Sequence, residues 1–160
     1  MKALFASLLI AGVTQSTPVL ARSSIASPLV GSWAVDISRL PMQVEARPKS
    51  VTITFSDAGS GKWTTHVDIV DASGAESHAV GTAALDGSAT HIEGSAEADT
   101  AALKMPAPNV LVMALGKGGN PASTRIYAVA ADGKSLVETS VYYGDNGLPI
   151  MRTYYFSRVR

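Results

Sequence analysis

Apolar and polar residues alternate along most of this chain in short runs, and nearly every run ends at a turn rich in Gly, Asp, Asn or Ser. The first run covers residues 30–37, with Trp33, Val35 and Ile37 on one face and Ser32, Ala34 and Asp36 on the other. That is the period-two pattern of a half-buried strand. Val51, Ile53 and Phe55 then alternate with Thr52, Thr54 and Ser56. After the turn at 57–61, Trp63, Thr65, Val67 and Ile69 alternate with Lys62, Thr64, His66 and Asp68. Further strands are expected at 76–85, 101–105, 110–115, 123–130, 135–143 and 149–158, with turns that include Asp86-Gly87, Asp132-Gly133 and residues 144–147. About nine short strands at even spacing, with no convincing helical periodicity, predict an all-β fold. Because nearly every connection after Lys49 is short enough for a hairpin, a single antiparallel up-and-down barrel of about eight to nine strands is favoured over a Greek-key sandwich. Closure also removes the exposed edges that an open sheet must protect.

The long connection is 38–49. Pro41 and Pro48 argue against regular structure there, while Leu40, Met42 and Val44 are apolar. It is read as a loop whose apolar residues cover something. Residues 110–115, Val-Leu-Val-Met-Ala-Leu, are apolar on both faces. Burial on both sides is the expected arrangement, and an exposed stripe for a partner or membrane surface is the alternative.

The N-terminal residues carry a different pattern. Met1-Lys2 precedes a small and apolar run over 3–13, and Val19-Leu20-Ala21 suits signal-peptidase cleavage. The run is too short for a membrane span, which needs roughly 20 residues. Residues 1–21 are therefore expected to be a cleaved export signal, 22–28 a flexible lead-in and 29–160 the barrel domain, in a periplasmic or secreted protein. No integral membrane span is expected.

Composition narrows the partners. The 13 basic residues balance 13 acidic ones, which gives no electrostatic reason to expect nucleic acid. The chain has no Cys, so neither disulfides nor thiol chemistry are available. Only 16% of residues are charged, and the abundance of small and β-branched side chains suits close-packed strands. Stability must then come from the core, and a monomer is favoured over a dimer.

Several short motifs occur in order: Gly31-Ser32-Trp33, Pro48-Lys49-Ser50, Asp86-Gly87, Gly94-Ser95, Asp99-Thr100, Lys117-Gly118-Gly119, residues 132–136 (Asp-Gly-Lys-Ser-Leu) and Arg158 near the end. On these residues the chain resembles the lipocalin-like branch of the calycins, and more closely small exported bacterial proteins with a lipocalin-like domain. The resemblance covers about residues 29–159. It implies that Trp33, after Gly31, plugs the closed end of the barrel, with Arg158 packed across its ring; Arg160 is the alternative cation. It also implies that the 38–49 loop lids the open end, which makes Met42 a ligand contact.

Catalytic signatures are weak. His66, His78 and His91 lack metal-ligand spacing, and no metal or cofactor is implied. His78 falls opposite Asp68 if the intervening hairpin is tight; an exposed cross-strand pair is the expected reading. No nucleophile-elbow, phosphate-loop or dinucleotide motif is present. Glu138 and Arg152 are sharper candidates. Alternation places Glu138 on the face of Leu136, Ser140 and Tyr142, and Arg152 on the face of Tyr154, Phe156 and Arg158. One hairpin register sets Glu138 directly opposite Arg152; a one-residue slip separates their faces. An inward pair would orient a polar ligand head beside Tyr142 and Tyr154, whereas an outward pair would be a surface salt bridge. The expected function is an exported lipocalin-like protein that holds a small hydrophobic or amphipathic molecule in its barrel. An isomerase or lyase using an interior Glu or Tyr, and a filled-barrel interaction module without a ligand, are the alternatives.

Overall fold

A computed structural model describes residues 26–159. The expected signal peptide at 1–21, most of the lead-in and Arg160 lie outside the described residues. The strands are β1 (Gly31–Val35), β2 (Ser50–Gly59), β3 (Lys62–Val70), β4 (Glu76–Ala84), β5 (Asp86–His91), β6 (Thr100–Ala107), β7 (Val110–Lys117), β8 (Asn120–Val129), β9 (Ser135–Tyr143) and β10 (Pro149–Arg158). They form one antiparallel sheet in the order β4-β3-β2-β1-β10-β9-β8-β7-β6-β5, wrapped into a nearly closed up-and-down barrel. No helix among the described residues is long and apolar enough to cross a membrane.

The strand count is ten, not eight or nine. The strand that the sequence pattern misses is β5, whose residues Asp-Gly-Ser-Ala-Thr-His offer no apolar alternation and lie largely exposed. Asp86-Gly87, which reads as a turn, begins this strand: the chain reverses one residue earlier, at Leu85. Gly87 has φ of 91° and sits where the β5–β6 register shifts, so the D-G signal marks an irregular strand start. The 38–49 connection contains two short 3-10 turns, Ile37–Arg39 and Val44–Ala46. The first is capped by the Asp36 carboxylate, which accepts from the Ser38 amide at 3.1 Å.

Between β4 and β5 the barrel has a seam. There the two edges do not form a continuous ladder, and an isolated bridge, Val80 to Glu93, joins β4 to the segment after β5 with backbone bonds of 3.0 and 2.9 Å. Gly94 is required at this crossing. Its φ is 73°, and a side chain there would overlap the His78 carbonyl oxygen. A methyl group at Gly81 would likewise collide with Ile92.

Strand alternation places Trp33, Ile53, Phe55, Trp63, Leu103, Leu111, Tyr127, Leu136 and Phe156 in one buried cluster. Trp33 is fully buried, and its indole Nε1 donates to the Leu29 carbonyl at 2.9 Å. Opposite Trp33 in the ladder stands Arg158, whose guanidinium carbon lies 4.1 Å from the ring centroid. Arg158 also donates from Nε to the Gly133 carbonyl (2.8 Å), from Nη1 to Val30 (2.9 Å) and from Nη2 to Pro28. One side chain thus ties the N-terminal entry, the β8–β9 turn and β10 together. Gly31 leaves room for it, since a Cβ at that position would lie 2.6 Å from Arg158 Nη1. The outer face of β7 is partly covered: Val110 and Val112 are half-buried, Ala114 is exposed, and the strand is paired on both sides.

Replacing Arg158 by Met keeps the apolar stem but removes the cation over the indole and three bonds to carbonyls. A loss of about 2–4 kcal/mol is expected in denaturant unfolding, with Arg158→Lys recovering part of it. A loss below about 0.5 kcal/mol would show that the closed end does not depend on this side chain.

Candidate functional site

The inward faces do not fill the barrel. Above the aromatic cluster lies a cavity of about 740 Å³, walled largely by apolar side chains such as Val35, Leu40, Val67, Ile69, Leu103 and Leu115. Several of the remaining wall positions are Ala or Gly, including Ala79, Gly81, Ala83 and Ala101, and these small side chains leave the space open. A volume of this size is typical of a small-molecule pocket.

The largest group of polar side chains enters the cavity from one stretch of wall, while Thr65 of β3, Ser77 of β4, and Ser95 and Glu97 of the segment after β5 add polar atoms elsewhere. β8 supplies Arg125 and Tyr127, β9 supplies Glu138, Ser140 and Tyr142, and β10 supplies Tyr154. Register explains the grouping: Tyr127 and Tyr154 flank Glu138 from opposite sides, and Arg125 stands beside Ser140. Glu138 is only 4% exposed, and Tyr127 is buried edge-on against Phe55, with ring centroids 5.3 Å apart. Arg125 Nη1 lies 3.6 Å from Glu138 Oε1, inside ion-pair range but beyond hydrogen-bond reach. Its Nη2 is bonded to Glu97, an exposed residue of the segment that follows the seam bridge. Glu138 Oε1 is buried and has no hydrogen-bond partner among the described residues.

This geometry shifts the titrations. Burial pushes the Glu138 carboxyl up to about 7; the Arg125 guanidinium pulls it back, Glu97 raises it further and the Tyr127 hydroxyl lowers it. Burial also raises the Tyr127 and Tyr154 hydroxyls, each with a further push from Glu138.

Of the residues singled out from the sequence, Glu138, Tyr142 and Tyr154 line the cavity, while Met42 and Arg152 do not. Met42 is 43% exposed; Leu40 is the residue of that connection that reaches the wall. The Glu138–Arg152 pair is not formed. The hairpin loop at 144–148 is one residue longer than that pairing requires on each side of its centre, so Arg152 meets Ser140 and Glu138 meets Tyr154. Both residues stay on the inward face, but Arg152 is exposed, with its guanidinium carbon 5.8 Å from the Tyr142 ring centroid. The cation beside Glu138 is Arg125, from the other neighbouring strand. Its signal lay in the same alternation: an inward Tyr127 and Val129 place Arg125 inward too. Glu97 lies in an irregular segment whose path no local pattern reveals. His78 does face Asp68, with Nδ1 2.7 Å from Oδ1, and the pair is exposed on the outer surface. Asp68 accordingly raises the His78 titration.

No protein-family model matches this chain, and neither does any curated protein. Among solved structures it is similar to the fluorescent protein UnaG. Wild-type UnaG superposes with a TM-score of 0.53 at 14% identity, covering 81% of this chain and 96% of that one. A point mutant of UnaG gives a TM-score of 0.55 at 14% identity, covering 83% and 97%. At this identity the likeness is one of fold: both chains form the same nearly closed antiparallel barrel.

Glu138 makes stability depend on pH. An unfolded carboxyl ionises near 4.5, whereas the buried one holds its proton up to about 7. Between those values the folded chain carries a proton that the unfolded chain has lost, so stability falls as pH rises. Glu138→Gln should flatten that slope and be the more stable protein at about pH 8, by about 1–3 kcal/mol, with a much smaller difference at about pH 5. Urea unfolding of both proteins at the two pH values measures it, and parallel pH profiles would contradict it.

Proposed function

We propose that this protein binds a small, mostly apolar molecule within the barrel, and that it acts in the periplasm or outside the cell. The observation that carries the binding reading is the largely apolar cavity of about 740 Å³ with a polar cluster on its wall, formed by Arg125, Tyr127, Glu138 and Tyr154. An apolar enclosure favours a ligand by the same water-release term that folds the core. The few polar groups, held by adjacent strands, fix its orientation. The open interior counts against a filled-barrel interaction module. The similarity to UnaG supports a barrel of this kind but does not select its contents. The compartment rests on the N-terminal residues, where a basic start, an apolar run and Val19-Leu20-Ala21 have the form of an export signal.

A second reading, an isomerase or lyase, draws on Glu138. A buried carboxyl that titrates near 7 is placed to take and return a proton at neutral pH. It is separated from simple binding by chemical change in the ligand, at a rate that follows the titration of Glu138.

Native mass spectrometry of the protein purified from its own host should reveal one small molecule per chain, on a polypeptide that begins at Arg22. Replacing Ala101, a buried wall residue, by Trp should reduce occupancy roughly tenfold by filling the space. A ligand-free chain from the host, together with failure of apolar dyes to bind the purified barrel, would remove the binding reading. Retention of residues 1–21 would remove the export reading.

A further inference from the structure

We propose that the ligand presents a hydrogen-bond-donating head, an amine or amide N–H, to Glu138, and that the cavity disfavours a carboxylate. This rests on the binding reading above and specifies the ligand class. An interior arginine in an apolar barrel invites the opposite conclusion, but Arg125 is already engaged. It is bonded to Glu97 on one side and lies 3.6 Å from Glu138 on the other. A carboxylate at this wall must either displace Glu97 or stand as a third acid beside one cation.

Two buried wall atoms lack partners among the described residues, Thr65 Oγ1 and Glu138 Oε1; the hydroxyl can turn to donate or to accept, whereas an ionised carboxylate only accepts. Glu138 lines the cavity, and the demand falls on its carboxylate, whose buried Oε1 has no hydrogen-bond partner among the described residues. Leaving such an atom unpaired carries a desolvation cost that a ligand donor removes on binding. Charge points the same way. The cavity wall carries two carboxyls, Glu97 and Glu138, and one guanidinium, Arg125. It is neutral with Glu138 protonated and negative with Glu138 ionised. Arg152, a further cation on this face of the sheet, lies exposed over the Tyr142 ring outside the wall. It pulls on the Tyr154 hydroxyl there, away from Glu138, which meets Tyr154 rather than Arg152 in the ladder. Tyr127 and Tyr154, the ring hydroxyls beside Glu138, are held neutral by their raised titrations. A protonated amine complements ionised Glu138. An amide, which carries both a donor and an acceptor, also matches the protonated acid.

The test displaces Nile red, a neutral dye, from the full-length mature barrel with decylamine, decanamide and decanoic acid. These share one tail length and differ in head. The assay is run at about pH 8, above the Glu138 titration and below that of an alkylamine. Decylamine and decanamide should act at concentrations roughly tenfold lower than decanoic acid, the factor that one charge-assisted hydrogen bond supplies. Glu138→Gln should weaken decylamine by about that factor while leaving decanamide within about twofold, because glutamine keeps an acceptor oxygen. Glu97→Gln, at an exposed position, should strengthen decanoic acid by freeing Arg125. Dye binding with decanoic acid as the strongest competitor overturns the proposal and leaves the binding reading intact. Failure of Nile red to enter the wild-type barrel, shown by mass spectrometry to be ligand-free, overturns both.

Discussion

The fold depends on a single contact between the two ends of the chain. β1 is only five residues long, yet it joins the arm β2-β3-β4 to the arm β10-β9-β8-β7-β6-β5. Its pairing with β10 is a long-range contact that brings together residues more than a hundred positions apart, and closing so long a loop is entropically costly. Arg158, half-buried over the buried Trp33, helps offset that cost and also binds the carbonyls of Pro28, Val30 and Gly133. Once Trp33 is opposite Arg158, the short hairpins propagate the register strand by strand. Each side chain is then committed to the core or to solvent, because a slip of one residue exchanges the faces.

That commitment explains why charged groups sit inside an apolar barrel. Leu136 must face inward to pack in the core, so Glu138 and Ser140 follow it. Tyr127 must face inward to meet Phe55 and Phe156, so Arg125 follows it. An isolated buried charge costs several kcal/mol. Here the cost is divided: Arg125 is compensated by Glu97 at the solvent edge, and Glu138 retains its proton to near neutral pH. The arrangement is a poor way to stabilise a barrel, since apolar residues of similar size would do better. It is a good way to give an otherwise apolar cavity one place where polar atoms converge.

Legibility in the sequence follows the range of the interaction. The all-β class, the up-and-down order and the inward face of nearly every strand come from nearest-neighbour alternation, and so does the inward position of Glu138. The Trp33–Arg158 closure comes with the motif order and the lipocalin-like resemblance. Register and irregularity are what local pattern does not carry. Matching Arg152 to Glu138 requires a shorter hairpin loop than the one at 144–148, and alternation is blind to that difference because both registers keep the two residues on one face. β5 escapes detection because an exposed edge strand of Asp, Gly, Ser and Thr needs no apolar face. Glu97 is invisible because it reaches Arg125 from a segment without periodicity, 28 residues away along the chain.

The seam gives the site its remaining character. Across the gap between β4 and β5 the wall is not a ladder but the segment that follows β5, attached through the Val80–Glu93 bridge. The same segment carries Glu97 to Arg125, and at its far end the Asp99 carboxylate accepts from the Gly118 amide at 2.8 Å. Its hydrogen-bonded anchors are the backbone bridge to Val80, the Glu97–Arg125 pair at the solvent edge, and, at Asp99, an amide bond to the Gly116 carbonyl at 2.9 Å beside the Gly118 contact, fewer than a strand paired along its length has. Local opening free energy follows the number of such anchors, so the barrel is most easily opened at this point. Glu97 joins the weakest part of the wall to the cation of the cavity. Under the binding proposal, a ligand that displaced Glu97 from Arg125 would release one of these anchors, whereas one that bound Glu138 would leave it in place. Under that proposal, the anchoring of the wall adds to the preference for donors over acids.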